Sequence, residues 1–170
     1  MTVLHAQPYN LEAAGFYFDD ATDYEVKAEG RMDRYGCPVE EYEIQFIDGE
    51  IADAQLFRAC GINQATLNLW FDEIEPLDDG QKPALFFLVS ERGYEVRAAL
   101  KKLDEVTLYE GALLEAATEL FDECYAHEIP ENLCFYIDYD RFANDCRLGG
   151  DMDEFEFDGE TYTCTNAACV

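Results

Sequence analysis

The chain has 170 residues, of which 49% are hydrophobic and 14% aromatic, and 38 Asp and Glu against 11 Lys and Arg give a formal net charge of -27. This length and apolar content suit one domain or two or three small units, and they exclude a disordered acidic tail, which would be poor in aromatic residues. The charge argues against nucleic acid, anionic membranes and phosphorylated ligands as direct partners, and it predicts a partner with a basic surface.

Sequence features of targeting and of disulfide frameworks are missing. No apolar run approaches the ~18 residues that cross a bilayer, and the N-terminus has neither the basic region nor the apolar stretch of a signal peptide. The seven cysteines include no CxxC pair. We therefore expect a cytoplasmic protein with reduced thiols and no zinc site.

The N-terminal third predicts a small α/β unit over residues 1–51. The pattern indicates strands at 3–7, 15–18 and 42–47 and a helix at 22–35. Thr22 or Asp23 is the expected N-cap of that helix.

The middle of the chain, residues 52–103, predicts a helical unit. The expected helices span 52–59, 63–75, 81–91 and 93–102. Pro76, Pro83 and the Asp78-Asp79-Gly80 run mark a turn between two of them. Trp70 and Phe71 lie on an apolar face, where we expect them to be core residues.

The last part, residues 104–170, predicts a second α/β unit. Its expected strands lie at 106–109, 155–157 and 161–165, and its first expected helix lies at 111–126. A short helix is expected from Pro130 to 135. Another is expected from a cap at Asp138 to about 147, and Gly149-Gly150 ends it. Asp158-Gly159 is the turn signal of a hairpin between these strands. The fold class is therefore α+β, in three small units.

The helix predicted at 111–126 has two opposite faces. Leu113, Ala117, Leu120 and Cys124 recur at the apolar spacing of a helix, and Glu115, Glu119, Asp122 and Glu123 recur on the other side. Acids at i and i+4 repel each other by a few tenths of a kcal/mol per pair, and no Lys relieves them. A helix selected only for stability would usually carry one.

The acids are segregated from the bases along the chain. Five stretches hold acids and no Lys or Arg, namely residues 1–26, 35–57, 59–81, 103–140 and 148–170, and the fourth contains eleven acids. Duplex DNA carries one charge per ~1.7 Å of axis, so 27 charges correspond to roughly 46 Å, or about 13 to 14 base pairs. That is the scale of a DNA-binding groove.

The C-terminal part resembles a known family. Tyr136-Ile137-Asp138-Tyr139, followed by Ala143, Asp145, Leu148 and Gly150-Asp151, is similar to the "YIDYxxxARDxxLxGD" run of the ArdA antirestriction proteins, with Asn144 and Cys146 as departures. The segment 113–131 aligns with the antirestriction motif of that family. Glu40-Glu41-Tyr42-Glu43-Ile44 is similar to its "EEYAI", although Gln45-Phe46 replaces the usual His-Asp.

The resemblance implies an elongated, three-part α/β protein that forms a homodimer through its C-terminal region and mimics bent B-form DNA. It implies binding in the DNA groove of a type I restriction–modification enzyme, inside the bacterial host cell, without any reaction. We expect the mimic surface to comprise Asp19, Asp20, Asp23, Glu40, Glu41, Asp72, Glu73, Glu75, Asp78, Asp79, Glu115, Glu119, Asp122, Glu123, Glu128, Glu131, Asp138 and Asp140. Tyr136, Ile137 and Tyr139 are expected to serve core packing or the dimer.

Three other interpretations compete with this one. An enzyme is disfavoured because the only histidines, His5 and His127, are far apart, and no nucleophile, phosphate-loop or metalloprotease motif is present. A carboxylate-based metal-binding protein is disfavoured because the closest calcium-loop match, at 151–155, fails at its fifth position and lacks the following Gly. A DNA mimic aimed at another nucleic-acid-binding complex, such as a CRISPR effector, stays open. No catalytic residue, metal or cofactor is expected.

Overall fold

The computed structural model describes residues 2–170 and shows a mixed α+β protein, as the sequence predicts. Its strands form two three-stranded antiparallel sheets. The chain divides into two compact units, Met1–Lys82 and Pro83–Val170, while the division into three units stays a prediction. Among residues 2–170, no helix combines the length and the apolar character that crossing a bilayer requires.

The sheet of the first unit is built around a central strand that pairs with a neighbour on each side. Strand β1 (Val3–Pro8) pairs antiparallel with β2 (Phe16–Phe18) on one side and with β3 (Tyr42–Asp48) on the other. Residues alternate between the two faces of such a sheet, and Leu4 and Phe18 are buried on the face that the core covers. The three predicted strands of this region are confirmed.

Helix α1 (Ala21–Ala28) is shorter than predicted and has a different cap. Asp20, rather than Thr22 or Asp23, is the N-cap, because its carboxylate accepts the Asp23 N–H at 2.7 Å. The predicted helix to residue 35 is wrong. Glu29 is extended with ψ 127°, and Gly30 has φ 69°, a left-handed conformation that glycine adopts without strain.

A local hydrogen-bond network replaces the missing part of that helix. The carboxylate of Asp33 accepts the backbone N–H of Tyr35 at 2.8 Å and of Cys37 at 2.9 Å. It also accepts Asn10 Nδ2 at 3.0 Å, from a loop distant in sequence. Asp side chains that bond nearby backbone groups in this way compete with helix formation, so the segment closes as a turn.

The remaining helices of the first unit are α2 (Ile51–Ala59), a 3₁₀ turn (Gln64–Thr66), α3 (Leu67–Leu69) and the π-helical turn Trp70–Ile74 that continues α3. The predictions at 52–59 and 63–75 are confirmed as helical. Trp70 is completely buried, and its ring lies 5.1 Å from that of Phe57. Phe71 is only half-buried, at the edge of the core.

Helix α4 (Gln81–Phe86) contains the division between the units and continues as the π-helical turn Phe87–Glu91. The next helix, α5 (Val96–Leu100), is shorter than the predicted 93–102. Gly93 has φ 72°, which no helix interior accepts, and the Glu95 carboxylate caps the new start by accepting the Ala98 N–H at 3.2 Å.

The sheet of the second unit has the order β4-β6-β5. Its strands are β4 (Leu108–Glu110), β5 (Asp153–Phe157) and β6 (Glu160–Cys164). Asp158 and Gly159 join β5 to β6 with φ 53° and 80°, and two positive φ values are what a type I′ hairpin turn requires. The predicted hairpin is confirmed.

Two helices of the second unit, α6 (Leu113–Cys124) and α7 (Tyr139–Gly149), pack against each other. Small side chains fill the space between them, including Ala117 and Ala143, and small residues let helix backbones approach closely. Two 3₁₀ segments, Ala126–Glu128 and Glu131–Tyr136, join the helices.

The buried side of α6 differs from its predicted apolar face at one end. Leu113 and Ala117 are buried and Leu120 is half-buried, as expected, and Ala116 joins them. Cys124 is exposed, so its assignment to the core face is wrong. Phe121, which is half-buried, faces α7 instead, with its ring 5.1 Å from that of Phe142.

Candidate functional site: the acidic face of helix α6

A row of four acids of the second unit lies on the exposed side of α6. Glu115, Glu119, Asp122 and Glu123 are all exposed there, opposite the residues that pack on α7, and we call these four residues the acidic face. The helical period places them on one side because they recur at i, i+4, i+7 and i+8. Leu114 and Thr118 complete a shallow depression of about 700 Å³ among them.

The ion pairs observed among residues 2–170 do not include the carboxylates of the acidic face. In the described residues, the ion pairs join other carboxylates, such as Lys102 Nζ with Glu105 Oε2 at 2.5 Å and Lys27 Nζ with Asp23 Oδ2 at 2.6 Å. The four charges of the acidic face are therefore available to an external cation, and they repel one another until one binds.

Acidic side chains also fix the start of α6. The Glu115 carboxylate accepts the Ala112 N–H at 3.3 Å, and the Glu154 carboxylate reaches from β5 to accept the Leu113 N–H at 2.6 Å. Negative charge at a helix N-terminus is favourable, because the unpaired N–H groups there carry partial positive charge. The cap from Glu154 is a tertiary contact that the sequence of the helix does not reveal.

Two tyrosines touch the acidic face from neighbouring elements. The Tyr139 hydroxyl, on α7, donates to Asp122 Oδ1 at 2.6 Å. The pKa of Tyr109, on β4, is raised first by its partial burial and then by the negative charges of Glu119 and Glu115. Both phenols therefore stay protonated donors beside carboxylates at neutral pH.

The tertiary structure adds carboxylates that the sequence analysis did not select. Glu110 and Glu160 line a depression of about 450 Å³ together with Glu115. The antiparallel register, in which Glu110 is opposite Tyr162, brings these residues together. Both glutamates belong to base-free stretches of the sequence, but strand pairing alone places them next to α6.

A second depression extends the negative surface on the α7 side. Asp140, which the sequence analysis selected, lies with Asp153 and Glu154 around a cleft of about 460 Å³. Arg147 also lines this cleft, where its Nη2 donates to Asn144 Oδ1 at 3.0 Å. The contribution of β5 to this surface again depends on the sheet and not on any local pattern.

Most of the other acids selected from sequence are exposed. Asp19, Asp20, Glu40, Glu41, Asp72, Glu73, Asp78, Asp79, Glu128, Glu131, Asp138 and Asp140 are exposed, and Asp23 and Glu75 are half-buried. The ten selected acids with numbers up to 79 lie in the first unit, and those from Glu115 onwards lie in the second. Their membership of one mimic surface stays a prediction.

Some of these acids also have a structural task. Asp20 and Asp138 cap α1 and α7, the latter by accepting the Arg141 N–H at 3.0 Å. Asp78 accepts the backbone N–H of Gly80 and of Gln81, at 3.0 and 2.8 Å. A carboxylate that caps a helix keeps its negative charge, so the same residue can cap a helix and contribute to a negative surface.

The residues selected for packing or the dimer divide into two groups. Ile137 and Tyr139 are half-buried, whereas Tyr136 is 83% exposed and is not a core residue. Its neighbour Phe135 is 92% exposed. Phe135 belongs to the same aromatic run as Tyr136, so the sequence could have identified it as a candidate. Its exposed orientation results from the 3₁₀ segment and is not visible in the sequence.

Cysteine thiols and histidine imidazoles are common site residues in proteins. All seven cysteines are free, and burial raises the pKa of Cys60 to about 12. His127 is exposed, with Nε2 3.9 Å from Glu128 Oε1. Within residues 2–170, no three His, Cys, Asp or Glu side chains are grouped so that they could hold a metal ion.

The fold and the surface thus define an acidic α+β protein whose exposed helix face presents unneutralised carboxylates. Residues 21–159 match the family described as antirestriction protein (ArdA). This match covers well over half of the chain, which therefore belongs to the ArdA family of antirestriction proteins. No curated protein and no solved structure matches the chain.

Proposed function

We propose that this protein is a DNA mimic that occupies the DNA-binding groove of a type I restriction–modification enzyme and so protects incoming DNA. The observation that carries the proposal is the acidic face of α6, which lies inside the antirestriction segment 113–131. Membership of the ArdA family supports the antirestriction function, and the charge of the surface supports this way of achieving it.

The spacing of the carboxylates suits a groove that binds phosphates. Glu115, Glu119 and Glu123 follow one another at a rise of ~6 Å along the helix axis, which is comparable with the spacing of phosphates along a strand. A protein groove that neutralises phosphates with Lys and Arg would meet a similar row of negative charges here. Contacts of this kind require no sequence readout and no reaction.

The cost of the charge pattern also favours a binding role. The first unit carries 18 Asp and Glu against 5 Lys and Arg, and the second carries 20 against 6. Repulsion among so many negative charges destabilises the folded state. A basic partner would relieve this repulsion when it binds, which gives the excess of acids a role in binding. We expect that partner to be a protein, with no direct contact to nucleic acid or membrane, in the cytoplasm of the host cell.

The test is a competition between this protein and duplex DNA. A labelled duplex with its recognition sequence is bound to a purified type I methyltransferase, and the protein is added across a salt series. We expect displacement that weakens steeply as salt rises, because screening removes the attraction between exposed charges. Displacement from another DNA-binding complex but from no type I enzyme would support the alternative target instead.

We also propose that two copies associate through the second unit. Leu133, Phe135 and Tyr136 lie on one 3₁₀ segment and are 48%, 92% and 83% exposed, and Tyr125, directly after α6, is 49% exposed. Aromatic side chains exposed together mark interaction surfaces more often than free surface. A second copy would cover them while leaving a longer negative surface for the partner.

The dimer has a direct test. We expect the wild-type chain to sediment as a dimer and Phe135→Ser/Tyr136→Ser to sediment as a monomer with an unchanged circular dichroism spectrum. Leu11→Ser is the matched control, because Leu11 is 91% exposed in the first unit. A wild-type monomer at all concentrations tested would refute the proposed association.

A further inference from the structure

Tyr139 connects α7 to the acidic face of α6. It is the first residue of α7, directly after the Asp138 cap. Its ring packs edge-on against Phe121, with 5.4 Å between the ring centroids and 79° between the planes. The half-buried ring thus has a fixed orientation, and it directs the hydroxyl towards Asp122.

The contact with Asp122 is short and uses only one oxygen. The Tyr139 hydroxyl donates to Asp122 Oδ1 at 2.6 Å, a length typical of a hydrogen bond to an ionised acceptor. A carboxylate has two oxygens with about four lone-pair directions. Oδ2 therefore stays free to accept a hydrogen bond from an external Lys or Arg, and the negative charge is retained.

The hydroxyl is a stable donor in the physiological range. The pKa of Tyr139 is raised first by the hydrogen bond to Asp122, and then by burial and by the negative charge of Asp122. A raised pKa keeps the phenol protonated at neutral pH, so a modest rise in pH does not remove the proton that forms this hydrogen bond.

Fixing a carboxylate in advance matters for a mimic of DNA. The phosphates of a duplex are held in place by a covalent backbone, whereas an exposed acidic side chain samples several rotamers. Ordering such side chains during association weakens binding. A carboxylate already held by a rigid aromatic donor avoids that loss.

We propose that Tyr139 is a positioning residue that holds the Asp122 carboxylate in place on the acidic face before a basic partner binds. This inference rests on the proposed function. Tyr139 itself does not have to touch the partner, because its effect passes through Asp122.

The first test removes only the hydroxyl. We expect Tyr139→Phe to keep the ring packing and the thermal midpoint close to wild type, but to displace the labelled duplex from the type I methyltransferase about three- to tenfold less well. Tyr9→Phe, an exposed phenol in the first unit, should match wild type. In the background of Asp122→Asn, Tyr139→Phe should add no further loss.

The second test does not involve the partner. In the full chain with ¹³Cζ-labelled tyrosine, NMR titration should show one phenol with a raised pKa that falls towards the ordinary value in Asp122→Asn, because the negative charge is gone. Unchanged titration in that variant would refute the contact and with it the inference.

The two proposals fail in different ways. If wild-type protein displaces the duplex and Tyr139→Phe does so equally well, or if the effects of Tyr139→Phe and Asp122→Asn add, the positioning role is wrong while the proposed function stands. If wild-type protein displaces no duplex from any type I enzyme, the proposed function fails and the positioning role fails with it.

Discussion

Replacing the acidic face with neutral isosteres should weaken displacement of duplex DNA by about 30- to 1000-fold. The variant is Glu115→Gln/Glu119→Gln/Asp122→Asn/Glu123→Gln. Each exposed charge contact contributes up to about 1 kcal/mol, so the loss of four is about 2–4 kcal/mol, which converts to this range of affinity. The measurement is the competition assay with the labelled duplex and the methyltransferase at low salt.

The same variant should fold normally and be slightly more stable than wild type. All four side chains are exposed, and their replacement relieves like-charge repulsion within the helix. An increase in the thermal midpoint together with weaker inhibition would separate the binding role from any structural role. Glu115 also accepts the Ala112 N–H, and a Gln carbonyl can still accept it.

A control with the same change in net charge tests whether position matters. Glu25, Glu29, Glu43 and Glu91 are exposed acids outside both the predicted mimic surface and the depressions beside α6, and their joint replacement with Gln also removes four charges. We expect the control to lose less than one tenth as much affinity. Equal losses in the two variants would mean that overall charge, and not the acidic face, determines inhibition.

The largest effect on stability is expected at Lys82, the only base among the buried polar residues of the described chain. Its Nζ lies 2.7 Å from Asp53 Oδ1, and the two residues are 8% and 5% exposed. Lys82→Met should lower the free energy of unfolding by about 3–5 kcal/mol, because it leaves Asp53 as a buried charge without its partner. Denaturant unfolding of the full chain measures this.

The double variant Asp53→Leu/Lys82→Met separates charge from packing. Replacing both members of a buried pair with apolar side chains is often neutral, so we expect most of the lost stability to return. If the double variant is as unstable as Lys82→Met, packing rather than the buried charge is responsible.

The ion pair also predicts how stability depends on pH. Burial lowers the pKa of Lys82, but the hydrogen bond to Asp53 and the charges of Asp53, Glu50 and Asp79 outweigh it, so the pKa is raised. A base with a raised folded pKa contributes stability that is complete below the unfolded pKa and is lost as pH rises through the folded value. Wild-type protein should therefore lose stability in the alkaline range above the ordinary lysine pKa, and the double variant should lose less there.

Local patterns of the sequence were sufficient for several elements. The Asp158-Gly159 hairpin follows from two residues that accept positive φ, and α6 follows from the period of its apolar side and its acids. The cap at Asp138 was also predicted, and it is confirmed by the hydrogen bond to the Arg141 N–H. In each case the interactions that decide the structure lie within a few residues.

Other local predictions failed where tertiary contacts or single residues intervened. Helix α1 ends at Ala28 because Gly30 and the Asp33 turn compete with it. Cys124 is exposed, and Phe121 rather than Cys124 contacts α7 near the end of α6. Periodicity identifies a helix and its faces, but it does not show where neighbouring elements stop covering it.

The sequence by itself determined the class of this protein. The charge of -27, the base-free stretches and the run from Tyr136 to Asp151 indicated an acidic α+β member of the ArdA family, because these properties depend on composition and local order. Only the tertiary structure decided which acids lie together. The strand register brings Glu110 and Glu160 to Glu115, and helix packing brings Tyr139 to Asp122. Contacts between residues distant in sequence depend on how whole elements pack, which no local pattern specifies.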